Sequence, residues 1–219
     1  RIVTLQCGAR KYAAEAPEVL TRLESLFRRG KADEKTGKVK VDIHPYGDGV
    51  NLSAEASAYS VPVDRVGAVI DSGTAGNVPL VATIELTKFT GGTAVSYANH
   101  EVLGRLEALK DMGVAAVGIT LNPDPGEEYM AQMAQLRAIM NEARKHGLPT
   151  VVWSLPTGHK PAALDRTMAA AHIALEAGAH IVIVRRPTAE FSGDEAKNAD
   201  KKALDKGALD GSGSVKYQE

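Results

Sequence analysis

Four short clusters hold the residues of this chain whose types and spacing suit chemistry. Arg185 and Arg186 end an apolar run, and a guanidinium offers paired N–H donors that match the oxygens of a phosphate. Side chains alternate along a strand, so at most one of the two faces a given ligand; the competing reading is a salt bridge at a surface or interface. Trp153-Ser154-Leu155-Pro156-Thr157-Gly158-His159-Lys160 ends a second apolar run and gathers an aromatic plate, a hydroxyl, an imidazole and an amine. Trp153 reads either as a packed core aromatic or as a platform for a ligand. Asp42 and His44 share one face of a short strand, where they form an acid-base pair or a structural hydrogen bond. Asn122-Pro123-Asp124 closes a third run. The remaining histidines show no metal-ligand spacing, and Gly47-Asp48-Gly49 and Gly91-Gly92 are too short and isolated for nucleotide loops.

The elements that must position these residues alternate. Strand-like runs VPLVATIE (78–85), AAVGITLN (115–122), PTVVWSLP (149–156) and HIVIVRRP (180–187) are separated by helical runs at nearly constant spacing. That rhythm predicts a parallel sheet buried on both faces, with chemistry at the carboxyl ends of its strands. Glu15 to Arg29, Glu101 to Met112, Glu127 to His146 and Pro161 to Ala177 carry helical apolar spacing, and the last three stop at Gly113, Gly147 and Gly178. Before the strong pattern, Ile2 to Cys7, Val39 to Ile43 and Val66 to Ile70 read as further strands, while KADEKTGK reads as a loop. Six strands are counted, or seven with the first, so a closed eight-stranded barrel is not fully accounted for. Residues 1–187 are expected to form one α/β barrel domain and residues 188–219 a polar tail or a remnant of the last barrel units.

Composition narrows the function classes. A chain of 219 residues with 44% hydrophobic residues, 24% charged and a net charge of -1 is that of an ordinary globular domain. It lacks the basic excess of a nucleic-acid binder. No apolar run approaches the roughly 18 residues of a membrane span, and the start lacks a signal-peptide core. With Cys7 as the sole cysteine, no internal disulfide forms, and a reducing, cytoplasmic setting is expected.

From Val78 to Pro187, run by run and gap by gap, the sequence resembles the archaeal-type class I fructose-bisphosphate aldolases, with weaker similarity from residue 21. The resemblance implies a (β/α)8 TIM barrel, incomplete here at its carboxyl end, a Schiff-base lysine on strand six, and pentamer-based assembly. It also implies an aspartate after strand one, a Trp-Ser-Tyr-Pro-Arg-Gly segment after strand five, and phosphate-binding glycine loops after strands seven and eight. Trp153, Ser154, Pro156 and Gly158 match the strand-five segment, but Leu155 replaces its tyrosine and Thr157 its arginine. The lysine position falls at Ile183 or Arg185, neither of which forms an imine. Asp42 loosely echoes the strand-one aspartate, and the two glycine loops are not recognisable. Lys160, just past Gly158, becomes the candidate amine, against the alternative of a solvated loop lysine.

The expected activity is therefore metal-free and cofactor-free aldol chemistry on a phosphorylated sugar such as fructose 1,6-bisphosphate. The implied catalytic residues are Asp42, Trp153 and Lys160, with Arg185 or Arg186 on the phosphate. The partners expected are a sugar phosphate and further copies of the chain, with no nucleic acid and no membrane. A catalytically silent homologue serving as an assembly or scaffold subunit is the competing reading.

Overall fold

Helix α1 (Pro17–Arg28) shows how the sequence sets its own packing. Val19, Leu23 and Leu26 fall on one face and are buried, while Glu18 in the first turn and Arg28 in the last complement the helix dipole. The structure, a computed structural model, describes residues 2–6, 17–32, 34–35, 39–44, 56–86, 95–123, 129–156 and 163–185. Strand β1 (Ile2–Gln6) precedes α1. After it come β2 (Lys31–Ala32), β3 (Val39–Lys40), β4 (Ile43–His44) and β5 (Ala58–Pro62). A 3₁₀ turn leads into the short α2 (Val66–Asp71), then β6 (Leu80–Ile84) and α3 (Val95–Asp111). β7 (Ala116–Leu121), α4 (Tyr129–Lys145), β8 (Thr150–Ser154), α5 (Leu164–Glu176) and β9 (Ile181–Arg185) complete the described chain.

Strands β4 to β9 pair in parallel, each with its sequence neighbour, giving the order β1-β9-β8-β7-β6-β5-β4. Because the order never reverses, right-handed crossovers place every connecting helix on the same face, as in a barrel wall rather than a doubly wound sheet. The two faces bury different cores. On the outer face Val117, Ile119, Leu121, Val152 and Val182 pack with Leu106 and Leu109 of α3, Leu136 and Ile139 of α4, and Ala171 and Ala174 of α5. On the inner face Val81, Ala116, Val151, Trp153, Ile181 and Ile183 pack with Val19, Leu23 and Leu26 of α1.

The turns from α3, α4 and α5 into the following strands repeat one device. Gly113, Gly147 and Gly178 adopt positive φ, and in each turn the next residue's N–H reaches back to the last helical turn, as Leu148 does to the carbonyl of Ala143 at 2.8 Å. α1 also passes close to Gly147, since a Cβ there would stand 2.7 Å from Glu18 Cβ.

Four expectations from the early sequence need correction. Val66 to Ile70 is not a strand but lies in helix α2, with Val66 and Val69 buried at helical spacing; so short a run cannot show its period. The strand before it is Ala58–Pro62, whose Ser60 and closing Pro62 interrupt the apolar signal. Val39 to Ile43 is two strands, because Val39–Lys40 turns back on Lys31–Ala32 and only Ile43–His44 joins the main sheet. KADEKTGK is correspondingly not all loop, since Lys31 and Ala32 belong to that hairpin. The first strand does join the sheet, but antiparallel to β9, pairing Ile2 with Arg185. The count of six parallel strands stands with a changed membership.

Candidate active site

Strand register builds a wall of inner-face residues that opens toward the carboxyl ends. Thr120 of β7 stands opposite Trp153 of β8, and Trp153 opposite Ile183 of β9. Ile183 and Trp153 are buried at 0% and 5% exposure, whereas Thr120 is exposed. One pleat farther on, Leu155 and Arg185 are half-buried. Two residues per pleat keep Ile181, Ile183 and Arg185 on one face, so the arginine carries a charge to the open end of an apolar row. The end of β8 is tied down by the Leu155 N–H donating to the Leu121 carbonyl at 2.9 Å.

Ser154 points the other way. Its hydroxyl donates to the Ala170 carbonyl of α5 at 2.8 Å and is fully buried, so it fastens β8 to its crossover helix. Asp42 lies at the amino end of β4, level with Ser57, whose hydroxyl accepts from the Asp42 N–H at 3.2 Å. Its side chain is exposed there, and the fold does not bring it to the rim that holds Trp153 and Arg185. Lys160, Arg186, Asp124 and His159 lie outside the described residues. Among the described residues no three His, Cys, Asp or Glu side chains converge as metal ligands, and no helix is long and apolar enough to cross a membrane.

The opposite, amino end of the sheet carries a groove of about 490 Å³ between α1 and the turns before β6 and β7, lined by Thr21, Arg22, Ser25, Asn77 and Met112 among others. Arg22 donates there to the carbonyls of Val114 and Lys110, and Arg29 to Asn77 at 2.6 Å. Burial pushes the Arg22 guanidinium below its usual range, opposed by the nearby Glu18 carboxylate. These bonds satisfy turn carbonyls and pin α1 across the floor of the sheet, a stabilising role in keeping with the amino-terminal face of a parallel barrel. The groove therefore lies at the end of the sheet opposite the carboxyl rim.

Thr120 and Gly118 share the inner face with Trp153 but carry no catalytic signature in the sequence. The available signal is strand alternation through AAVGITLN together with a glycine in mid-strand, which marks close approach of another group.

The DeoC/LacD family aldolase profile matches residues 50–208, and the chain belongs to that family, whose fold is the (β/α)8 barrel. The match runs into the segment that the sequence reading sets apart as a tail. A class 1 fructose-bisphosphate aldolase of Thermoproteus tenax is 37% identical over 114 residues, which cover 50% of this chain and 41% of that relative. The matched segment thus spans well under two thirds of the relative's length. Two structures of archaeal fructose-1,6-bisphosphate aldolase, one with its catalytic Lys covalently bound to the carbinolamine intermediate of the substrate, align at 22% identity and TM-score 0.49, over 74% of this chain and 68% of theirs.

Proposed function

We propose that this chain performs class I aldol chemistry on a phosphorylated sugar such as fructose 1,6-bisphosphate. The observation that carries the reading is the placement of Trp153 and Arg185 on one face at the carboxyl ends of adjacent strands, in a member of an aldolase family. That is the end at which parallel barrels present their loops to ligands. Trp153 supplies an apolar plate with one N–H donor, and Arg185 paired donors for a phosphate. The amine of Lys160 is the proposed nucleophile. It adds to the ketone carbon and water leaves to give an iminium; the carbon-carbon bond then breaks, its electron pair forming the enamine while a base takes the hydroxyl proton. Asp42, a catalytic candidate by resemblance, lies at the amino end of β4, which leaves the task of the base to a group on the carboxyl side. We take the working protein to be a homo-oligomer in a reducing cytoplasm, built on a barrel domain of residues 1–187.

A second reading, a catalytically silent homologue acting as an assembly subunit, is favoured by the residues at two positions. Leu155 and Ile183 occupy the places where the resemblance puts a proton-relaying tyrosine and, at one of two alternatives, the imine-forming lysine. Borohydride reduction in the presence of dihydroxyacetone phosphate separates the two. An aldolase gains the mass of one reduced adduct, and Lys160→Ala abolishes the gain. Unchanged mass in the unsubstituted protein favours the silent subunit, while an adduct that survives Lys160→Ala moves the nucleophile to another lysine.

A further inference from the structure

Gly118 lies in the middle of β7 on the inner face, opposite Thr83 of β6 and Val151 of β8. Trp153, one pleat beyond Val151, lays its six-membered ring over the space that a side chain at 118 would fill. A Cβ built there would overlap the ring's Cζ3 and stand 2.7 Å from Cη2 and 2.9 Å from Val81 Cγ1. Carbon atoms in packed interiors do not approach so closely, and the crowding atoms belong to a rigid ring rather than a flexible chain end. Any side chain at 118 must therefore displace the indole.

The pose so held has a chemical consequence. Trp153 is 5% exposed, yet its Nε1–H has no hydrogen-bond partner among the described residues. Buried indole N–H groups ordinarily find an acceptor, so this one is a donor suited to an oxygen that a ligand brings. We propose that Gly118 is a positioning residue of the candidate site: lacking a Cβ, it seats the Trp153 ring so that Nε1–H can pair with an oxygen of the bound sugar phosphate. The proposal rests on the site reading given above.

Trp153 is the sole tryptophan of the chain, so tryptophan emission, excited at wavelengths that tyrosine does not absorb, reports this spot alone. The experiment titrates dihydroxyacetone phosphate into the unsubstituted protein, Gly118→Ala and Gly104→Ala, the last a control because nothing lies within 4 Å of a Cβ at that position. The unsubstituted protein and the control should respond alike to the ligand. Gly118→Ala should shift the emission maximum before any ligand is added and weaken apparent affinity by about tenfold, as for loss of one hydrogen bond. A response by Gly118→Ala equal to that of the unsubstituted protein overturns this proposal alone. No response in the unsubstituted protein overturns the site reading and the proposal with it. Should Gly118→Ala fail to fold, the Trp153→Phe change added to it decides the matter, because phenylalanine lacks the Cζ3–Cη2 edge. Recovery of a cooperative melt supports the packing relation, and a double variant that melts no better than Gly118→Ala overturns it.

Discussion

Arg185 stands at the open end of an otherwise apolar row, two residues beyond the fully buried Ile183 and half-buried itself. A cation kept at such a rim gains most from a ligand that brings negative oxygens, because guanidinium pairs with them through fixed, paired donors. Arg185→Ala should weaken binding of a sugar phosphate by roughly tenfold or more in calorimetry, matching loss of a charged hydrogen bond of about 1.5 to 3 kcal/mol. Arg185→Lys should restore charge but only part of the affinity. Unchanged affinity in both Arg185→Ala and Arg186→Ala would remove the phosphate site and put the silent-subunit reading ahead. At this scale Trp153 and Arg185 stand out as candidates from residue type alone. The side-by-side placement of Thr120, Trp153 and Ile183 does not, because it depends on register between strands that the sequence does not encode locally.

At the scale of elements, the entry to β9 is held by a buried polar pair. His180 is fully buried, and its Nδ1 accepts from the Thr150 N–H at 3.1 Å and meets the Thr150 hydroxyl at 3.0 Å. Accepting at Nδ1 sets the neutral tautomer with its proton on Nε2. Thr150→Val preserves the shape but removes the hydroxyl, and since Nδ1 keeps the Thr150 N–H it should cost about 0.5 to 1.5 kcal/mol in chemical denaturation. A loss within a few tenths of a kcal/mol would show that the hydroxyl contributes little. The last turn of α4 offers a weaker, pH-dependent counterpart. Lys145 donates to Glu142 at 2.7 Å, and this bond, more than any other influence, holds the Glu142 carboxyl below its ordinary value despite some desolvation. A carboxyl whose pKa is lower folded than unfolded contributes stability above its unfolded pKa and loses it as pH falls through the folded one. Glu142→Gln should therefore lower the melting midpoint slightly at neutral pH and converge with the unsubstituted protein in acid. The effect should be small, since the pair is largely solvated and such pairs contribute roughly 0.2 to 1 kcal/mol. His146 also faces Glu142 at 3.3 Å, so the decisive range is strong acid, where the carboxyl is protonated: a difference that persists there would contradict the assignment.

For the whole molecule, stability rests on one sheet packed on both faces. Val117 is fully buried between β7 and the outer helices, so Val117→Asp places a carboxylate where no solvent reaches it. The cost of several kcal/mol is on the order of a domain's whole stability, and the variant should be unfolded by circular dichroism. A soluble variant with a cooperative melt would argue against the sheet. Ile70 and Met112 are exposed and line the same amino-end groove, and apolar side chains grouped in this way suit a contact between copies. Light scattering at micromolar concentration should give a mass above that of one chain; a clean monomer would count against assembly.

The sequence by itself determined the strongly periodic half of the protein. From Leu80 to Arg185 the alternation of apolar runs with glycine-stopped helices required parallel strands with crossover helices, because only that arrangement buries both faces of continuous Val and Ile runs. Before Leu80, apart from the helical spacing of Glu15 to Arg29, the runs are too short to show a period, and there tertiary structure decided: Val66 became helical, Ala58–Pro62 became a strand, and Val39 and Ile43 went to different sheets. Direction and level were likewise settled only in three dimensions. β1 pairs antiparallel with β9, and Asp42 sits at the amino end, away from Trp153 and Arg185. Local composition specifies which residues prefer burial, whereas the partner of a strand edge and the height of a residue along the wall follow from hydrogen bonds between segments distant in the chain.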